Sequence, residues 1–215
     1  MSTVAILEQR HVRPNDDEAL YEVVNGVKVY PRDEEVDDQT VDGVRDDALY
    51  EVVGGVRVEL PPMATRASYI KTELGFHLTN RAKAGRLGRV DVEGLFLIPR
   101  PDDTSRRPDV AFVSYQRWAR ETALPEGAAW PIVPDLAIEV VSPNDHAEAA
   151  LDKIREYFEA GVRQVWAVYP ELRVIHVFES FTTIRVVAGD GVLEGGEVVP
   201  GFRLPMATLF EDLDG

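Results

Sequence analysis

The sequence has no cysteine, no long apolar run and comparatively few basic residues. Without cysteine there can be no disulfide framework, thiol nucleophile or thiolate zinc site, and a reducing cytoplasm is the natural setting. No stretch approaches the ~20 consecutive apolar residues that a membrane helix needs. The first residues also lack the basic and then apolar pattern of a secretion signal. We therefore expect a cytoplasmic protein that makes no membrane contact.

Positive charge is scarce: 23 basic residues face 38 acidic ones, for a net charge of -15. This balance argues against a general, non-specific nucleic-acid binder held by a basic surface. The excess is uneven, because residues 1–48 hold 13 of the acidic and only 5 of the basic residues. Any nucleic-acid contact must therefore depend on a local site.

An internal repeat marks the N-terminal quarter of the chain. Residues 18–29, EALYEVVNGVKV, recur 29 positions later as DALYEVVGGVRV. Each copy places Asn-Gly or Gly-Gly between two β-rich runs, which is a strong hairpin signal. Two copies do not make a solenoid. We expect an acidic extension over residues 1–44 with an extra hairpin that extends a sheet or contacts a partner, and one well-filled domain over residues 45–215.

Glu139 is the residue that most needs an explanation. It lies within PDLAIEVVSPND (residues 134–145), a predicted strand in which Leu136, Ile138 and Val140 share one face and Glu139 lies among apolar residues on the other. An unpaired buried carboxylate is costly, so a metal, a cation or a raised pKa is expected. A structural ion pair or a wet sheet edge would explain Glu139 equally well.

A second acidic residue and a lysine extend this pattern. Asp109 opens the short apolar strand DVAFV, directly after Pro108. A helix predicted from about His146 to Ala160, closed by Gly161, carries Lys153 and Tyr157 at the border of an apolar stripe. The stripe is formed by Ala147, Leu151, Ile154 and Phe158. Two carboxylates and an ammonium around one point can hold a hard divalent cation beside a phosphodiester. On spacing alone, Lys153 equally suits an ordinary lysine that covers the core with its stem.

The first predicted helix, from about Ser68 to Lys83 with Gly85 as its stop, carries a further candidate. Glu73 lies next to the apolar side formed by Ile70, Leu74 and Leu78, and from there it could approach a metal site. A solvated glutamate is the simpler interpretation.

Several motifs, taken in order, resemble the Uma-two family of restriction-endonuclease-like proteins, which belongs to the PD-(D/E)XK nuclease superfamily. The resemblance runs from about Asp46 to the C-terminus. The matching segments are RPDVAFVS (107–114), PDLAIEVVSP (134–143), Lys153 with Glu156-Tyr157, Ala160-Gly-Val162, Val165-Trp166 and PGFRLP (200–205).

The resemblance implies an α/β fold: a restriction-endonuclease-like core with a mixed central β-sheet flanked by helices, here preceded by the duplicated hairpin. It also implies magnesium held by Asp109 and Glu139. In the superfamily pattern the lysine follows the second acid by two residues, where this chain has Val141. The resemblance suggests that Lys153 takes over that role.

The expected function is therefore a Mg²⁺-dependent endonuclease that hydrolyses DNA, with Mn²⁺ as an alternative cofactor. Its candidate catalytic residues are Asp109, Glu139, Lys153 and Glu73, and a homodimer formed through sheet edges is plausible. The alternative is a catalytically inactive module of the nuclease fold that serves interaction or assembly, because a fold alone does not fix function.

Overall fold

The computed structural model describes residues 48–99, 103–127, 129–142 and 146–213, together with the backbone of residues 22–24 and 27–30. The turn Asn25-Gly26 of the first repeat copy, the acidic stretch 31–40 and most of the predicted extension 1–44 lie outside these residues.

Strands dominate the described chain. The strands are β1 (Glu22–Val24), β2 (Val27–Tyr30), β3 (Tyr50–Val53), β4 (Val56–Glu59), β5 (Gly88–Val92), β6 (Leu95–Ile98), β7 (Thr104–Arg106), β8 (Val110–Ser114), β9 (Ala129–Trp130), β10 (Leu136–Val140), β11 (Gln164–Tyr169), β12 (Val174–Ser180), β13 (Thr183–Ala188), β14 (Val192–Glu194) and β15 (Arg203–Pro205). The helices are α1 (Thr65–Gly85), α2 (Ala147–Ala160) and α3 (Met206–Phe210), which leads into a 3-10 turn over Glu211–Leu213.

A mixed six-stranded sheet forms the centre of the fold, in the order β13-β12-β11-β10-β8-β5. Strands β10 and β11 are parallel and joined by α2, whereas the other neighbouring pairs are antiparallel. The alternation of β10 divides its side chains between two cores. Leu136 and Ile138 pack with α1, and Ala137 packs with the buried face of α2. The predicted mixed α/β fold is confirmed.

Both copies of the repeat belong to a second sheet, of order β1-β2-β4-β3-β7-β6-β9. The second copy forms the hairpin β3–β4, and its turn residues Gly54 and Gly55 have φ of 59° and 80°, which favours glycine. In the first copy, β1 pairs with β2, and β2 pairs with β4. The first copy thus extends the sheet of the second.

Helix α1 begins three residues earlier and ends two residues later than expected. Gly85 is its last residue, and Arg86 adopts the left-handed conformation, with φ of 51°. The backbone N–H of Arg86 donates to the carbonyl of Lys83, and that of Leu87 donates to the carbonyl of Ala82. The helix is thus closed by a non-glycine residue.

Helix α2 presents a different face from the predicted one. The buried residues are Ile154 and Tyr157, while Leu151, expected in the apolar stripe, is 44% exposed. The helix is rotated so that Lys153 and Tyr157 face the sheet. The reason lies in Glu139, whose carboxylate bonds both of these side chains.

Candidate functional site

The register of two neighbouring strands brings Asp109 and Glu139 together. Strands β8 and β10 run antiparallel with Ile138 opposite Val110, so the next positions along, Glu139 and Asp109, are also neighbours. Asp109 Oδ2 accepts a hydrogen bond from the backbone N–H of Val140 at 2.6 Å. This bond fixes one oxygen of Asp109 against the strand that carries Glu139.

Helix α2 supplies two partners to Glu139. Lys153 Nζ lies 2.9 Å from Glu139 Oε2, and the hydroxyl of Tyr157 donates to Glu139 Oε1 at 2.6 Å. Residues 153 and 157 are one helical turn apart and therefore project from the same side of α2. The structure thus brings together three of the four predicted site residues: Asp109, Glu139 and Lys153.

Glu51, from β3, is a further member of this cluster that the sequence analysis missed. Its side chain is 5% exposed, and its Oε1 lies 2.8 Å from Lys153 Nζ. The same oxygen accepts the backbone N–H of Arg107 at 2.8 Å, and Oε2 accepts from Arg106 Nη1 at 2.9 Å. An acidic residue inside the short β-rich run Tyr-Glu-Val-Val is the same signal that pointed to Glu139.

Arg106 joins the cluster to α2. Besides Glu51, it donates from Nε to Glu156 Oε2 at 2.8 Å, so its guanidinium bridges two carboxylates. The residue lies in β7, within a segment whose sequence has no strand pattern. Its buried position depends on these two acidic partners from distant parts of the chain.

Helix α1 contributes Lys71 instead of Glu73. Lys71 is 7% exposed and pairs with Glu93, whose backbone N–H donates to the carbonyl oxygen of Asp109 at 3.1 Å. Glu73 lies two residues, or about 200°, around the helix from Lys71. Its carboxylate is 3.6 Å from His77 Nε2. The structure therefore does not bring Glu73 to the cluster.

The acidic members of the cluster have perturbed pKa values. Burial raises the pKa of Glu139 to about 7, with the opposing effect of Lys153 partly offset by Asp109 and Glu51. Burial also raises the pKa of Asp109, although the hydrogen bond from Val140 acts to lower it. For Glu51, burial acts upward, but Lys153 and Arg106 outweigh it and lower the pKa. The ionised form is thus least favoured at Asp109 and Glu139.

Lys153 has the opposite environment. Burial alone would lower the pKa of its ammonium, but Glu139 and Glu51 on either side raise it above the ordinary value. Lys153 therefore remains a cation. Burial also raises the pKa of Tyr157 well above its usual range, and the neighbouring carboxylates add to this effect, so its hydroxyl stays a donor.

The formal charges of this cluster do not balance, and negative charge is in excess. Four carboxylates, on Glu51, Asp109, Glu139 and Glu156, face two cations, Lys153 and Arg106, which leaves -2 when all are ionised. Among the described residues, no donor contacts Asp109 Oδ1. Carboxylate oxygens are the ligands that hard divalent cations prefer, and Mg²⁺ usually keeps several waters beside one or two carboxylates. The donor set therefore fits one such ion.

This fit relies on two carboxylates and not on a complete protein cage. No group of three or more histidine or acidic side chains that could hold a metal occurs within the described part of the chain. A cation here would need water or substrate oxygens to complete its shell.

A cleft of about 620 Å³ lies beside the cluster. Its lining includes Glu93 and Arg107, whose backbone N–H groups donate to Asp109 and Glu51, respectively. Lys83 and Arg89 also line the cleft, together with Asp91, Tyr115 and Trp130. Arg89 donates to the carbonyls of Ala119, Arg120 and Thr122 and so holds the irregular segment that forms one wall. Three basic and two acidic side chains thus line the cleft.

Asp135, which begins the Glu139 strand, has a different environment. Its side chain is 2% exposed, accepts the backbone N–H of Ser114 at 2.8 Å and lies 3.0 Å from Arg117 Nε. Arg163 Nη1 is 3.6 Å away. Asp135 therefore joins three segments at the end of β10 opposite to Glu139.

No helix within the described residues is long and apolar enough to cross a membrane.

The chain is similar to known proteins in both sequence and fold. Residues 33–207 match the model of the Uma2 family, described as "Putative restriction endonuclease". Among solved structures, the chain is similar to one from Anabaena variabilis described as "a putative nuclease belonging to DUF820", with a TM-score of 0.66 and 21% identity over 75% of this chain and 89% of that one. At this identity the likeness shows the fold alone. No curated protein matches the chain. Because the family match spans most of the sequence, this protein belongs to the Uma2 family.

Proposed function

We propose that this protein is an endonuclease that hydrolyses DNA phosphodiester bonds with Mg²⁺, for which Mn²⁺ can substitute. One observation carries the proposal: Asp109 and Glu139 converge beside the ammonium of Lys153, in a buried cluster whose formal charge is -2 when all of its members are ionised. Membership of a family described as "Putative restriction endonuclease" supports a nuclease-like activity.

In this proposal Asp109 and Glu139 would hold the divalent cation. The ion would supply charge neutralisation at the scissile phosphate and lower the pKa of bound water. Tyr157 donates to Glu139 and fixes the orientation of its carboxylate. Glu73 has no role here, since its carboxylate is directed to His77.

Lys153 would act as a hydrogen-bond donor and fixed positive charge. Its two carboxylate neighbours keep it protonated, so it is unsuited to accept a proton from water. An ammonium in this position can orient the attacking water or stabilise negative charge that develops on the phosphate.

The cleft beside the cluster offers a path for the nucleic-acid backbone. Lys83, Arg89 and Arg107 line it, and Arg107 also contacts the cluster through its backbone N–H. Phosphate contacts from a few basic side chains suffice to position a strand. A local path of this kind reconciles a DNA substrate with a net charge of -15.

A second candidate is a catalytically inactive interaction or assembly module with the nuclease fold. The observation that favours it is the bond between Lys153 and Glu139, which already gives this carboxylate a structural partner at 2.9 Å. In this alternative the cluster stabilises the fold and has no substrate.

The test combines metal binding and DNA cleavage. Calorimetric titration of Mg²⁺ and Mn²⁺ into the wild type, Glu139→Ala and Asp109→Asn would be paired with plasmid nicking on the same samples. Glu171→Ala, which removes an exposed carboxylate that pairs with Arg66, is the matched control. The endonuclease requires that binding and nicking be lost in both site variants and kept in the control. A wild type that binds no metal, with variants that fold equally well, would favour the inactive module.

A further inference from the structure

Lys153 is held by two carboxylates that come from different parts of the fold. Its ammonium lies 2.9 Å from Glu139 in the central sheet and 2.8 Å from Glu51 in the hairpin sheet. Only Glu139 belongs to the proposed cation site. Lys153 and the cation would therefore share Glu139. Glu51 would determine whether Lys153 stays in place when the cation binds.

A divalent cation on Glu139 weakens the attraction between Glu139 and Lys153. The ion neutralises the carboxylate that attracts the ammonium, and its own charge repels the ammonium. A lysine with no second counter-ion would then either leave the site or compete with the cation for Glu139.

Glu51 is anchored independently of Lys153. One of its oxygens accepts from Arg106, and the other accepts from the backbone N–H of Arg107. Arg106 is in turn fixed by Glu156. These bonds engage both oxygens and hold Glu51 in place whether or not Glu139 carries a cation.

We infer that Glu51 is a positioning residue: it retains Lys153 as a counter-ion when Glu139 binds the divalent cation, and in this way it raises the cation affinity of the Asp109–Glu139 pair. The inference rests on the proposed function and assigns a role to the hairpin of the second repeat copy. That hairpin would complete the site by neutralising the lysine, without contacting the cation.

The primary test is a Mn²⁺ titration of Glu51→Gln, with Glu156→Gln as the matched control. Both variants remove one carboxylate of the same cluster and keep its size, but Glu156 bonds Arg106 and not Lys153. Glu51 also acts directly on the charge of Glu139, so a double-mutant cycle with Lys153 separates this direct effect from an action through Lys153. The expected result is a dissociation constant roughly tenfold higher for Glu51→Gln and a distinctly smaller change for Glu156→Gln. Equal changes, or no change for Glu51→Gln, would overturn the inference.

A double-mutant cycle tests the link to Lys153. Lys153→Met removes the competing ammonium, so it should improve Mn²⁺ affinity more in the Glu51→Gln background than in the wild type. The double variant is expected to bind Mn²⁺ at least as well as the wild type. Equal improvement in both backgrounds would mean that Glu51 does not act through Lys153.

Glu51→Asp separates charge from packing and guards against a poorly folded Glu51→Gln. The aspartate keeps the charge but is shorter, whereas glutamine keeps the length but loses the charge. The counter-ion role predicts tighter Mn²⁺ binding for aspartate than for glutamine, and a purely structural role predicts the reverse. If the wild type itself binds no Mn²⁺, the proposed function fails together with the inference. If only the variants behave contrary to expectation, the inference alone fails.

Discussion

The charge of Glu139 should make the metal-free protein less stable at alkaline pH than at mildly acidic pH. Its pKa is about 7 in the folded protein against an ordinary value of 4.5. Because the folded pKa is the higher one, the folded state gains stability as the pH falls from above 7 towards 4.5. The full difference corresponds to about 3 kcal/mol, most of which appears between pH 8 and pH 5.

Glu139→Gln isolates this contribution. Glutamine has nearly the same size and keeps a carbonyl oxygen for the Tyr157 hydroxyl, while Lys153 keeps Glu51 as its partner. The free energy of unfolding would be measured in urea, with a chelator present, for both proteins from pH 5 to pH 8. The wild type should gain about 2–3 kcal/mol relative to the variant as the pH falls across this range.

The difference between the two proteins cancels every other titrating group that they share. Glu171→Gln controls for the removal of one carboxylate, because exposed ion pairs contribute little to stability. A constant difference between wild type and Glu139→Gln from pH 5 to pH 8 would refute the reasoning. A wild type that loses stability relative to the variant as the pH falls would show that the bond with Lys153 outweighs burial.

Three further predictions follow from the packing and the cleft. Asp135→Ala removes a buried partner of two arginines and should lower the free energy of unfolding in urea by about 3 kcal/mol or more. As a control, Asp152→Ala removes an exposed carboxylate and should lower it by less than about 1 kcal/mol. Gly88→Ala would place Cβ 2.2 Å from a backbone oxygen and should destabilise by about 1–3 kcal/mol in thermal or urea unfolding, whereas Gly127→Ala meets nothing within 4 Å and should leave stability nearly unchanged. Lys83→Glu, in the cleft, should weaken DNA binding and reduce the slope of log affinity against log salt by about 1, without changing the calorimetric metal titration; an unchanged salt slope would contradict the cleft as the DNA path.

Strand β10, the end of helix α2 and the two acidic residues could be predicted because their signals are local. Alternation in β10 and the stop at Gly161 define a strand and a helix end without any tertiary information. Glu139 interrupts an otherwise apolar strand and Asp109 directly precedes another, and a buried carboxylate is costly unless a partner exists. Their convergence then follows from the pairing of two buried strands.

The rotation of α2 and the role of β7 could not be predicted in this way. Leu151 is exposed and Tyr157 is buried because the position of the helix is set by bonds to Glu139, which hydrophobic periodicity does not record. Arg106 is buried in a polar segment because acidic residues from β3 and α2 surround it. Such long-range polar partners leave no pattern in the neighbouring sequence.

The position of the lysine explains why Glu51 is needed. A lysine at residue 141 would lie on the same strand face as Glu139, so the strand itself would hold it beside the site. Here Val141 packs against the apolar core beneath α2, and the ammonium arrives from the helix on a long, flexible side chain. A side chain of this kind has many rotamers, and ordering it costs conformational entropy. It therefore stays in one position only while a partner remains bound to its ammonium. Glu139 cannot be such a partner once it holds a cation, whereas Glu51, fixed by Arg106 and the backbone of Arg107, can. The position of the lysine on helix α2 therefore requires a second carboxylate, and Glu51 of the β3–β4 hairpin supplies it.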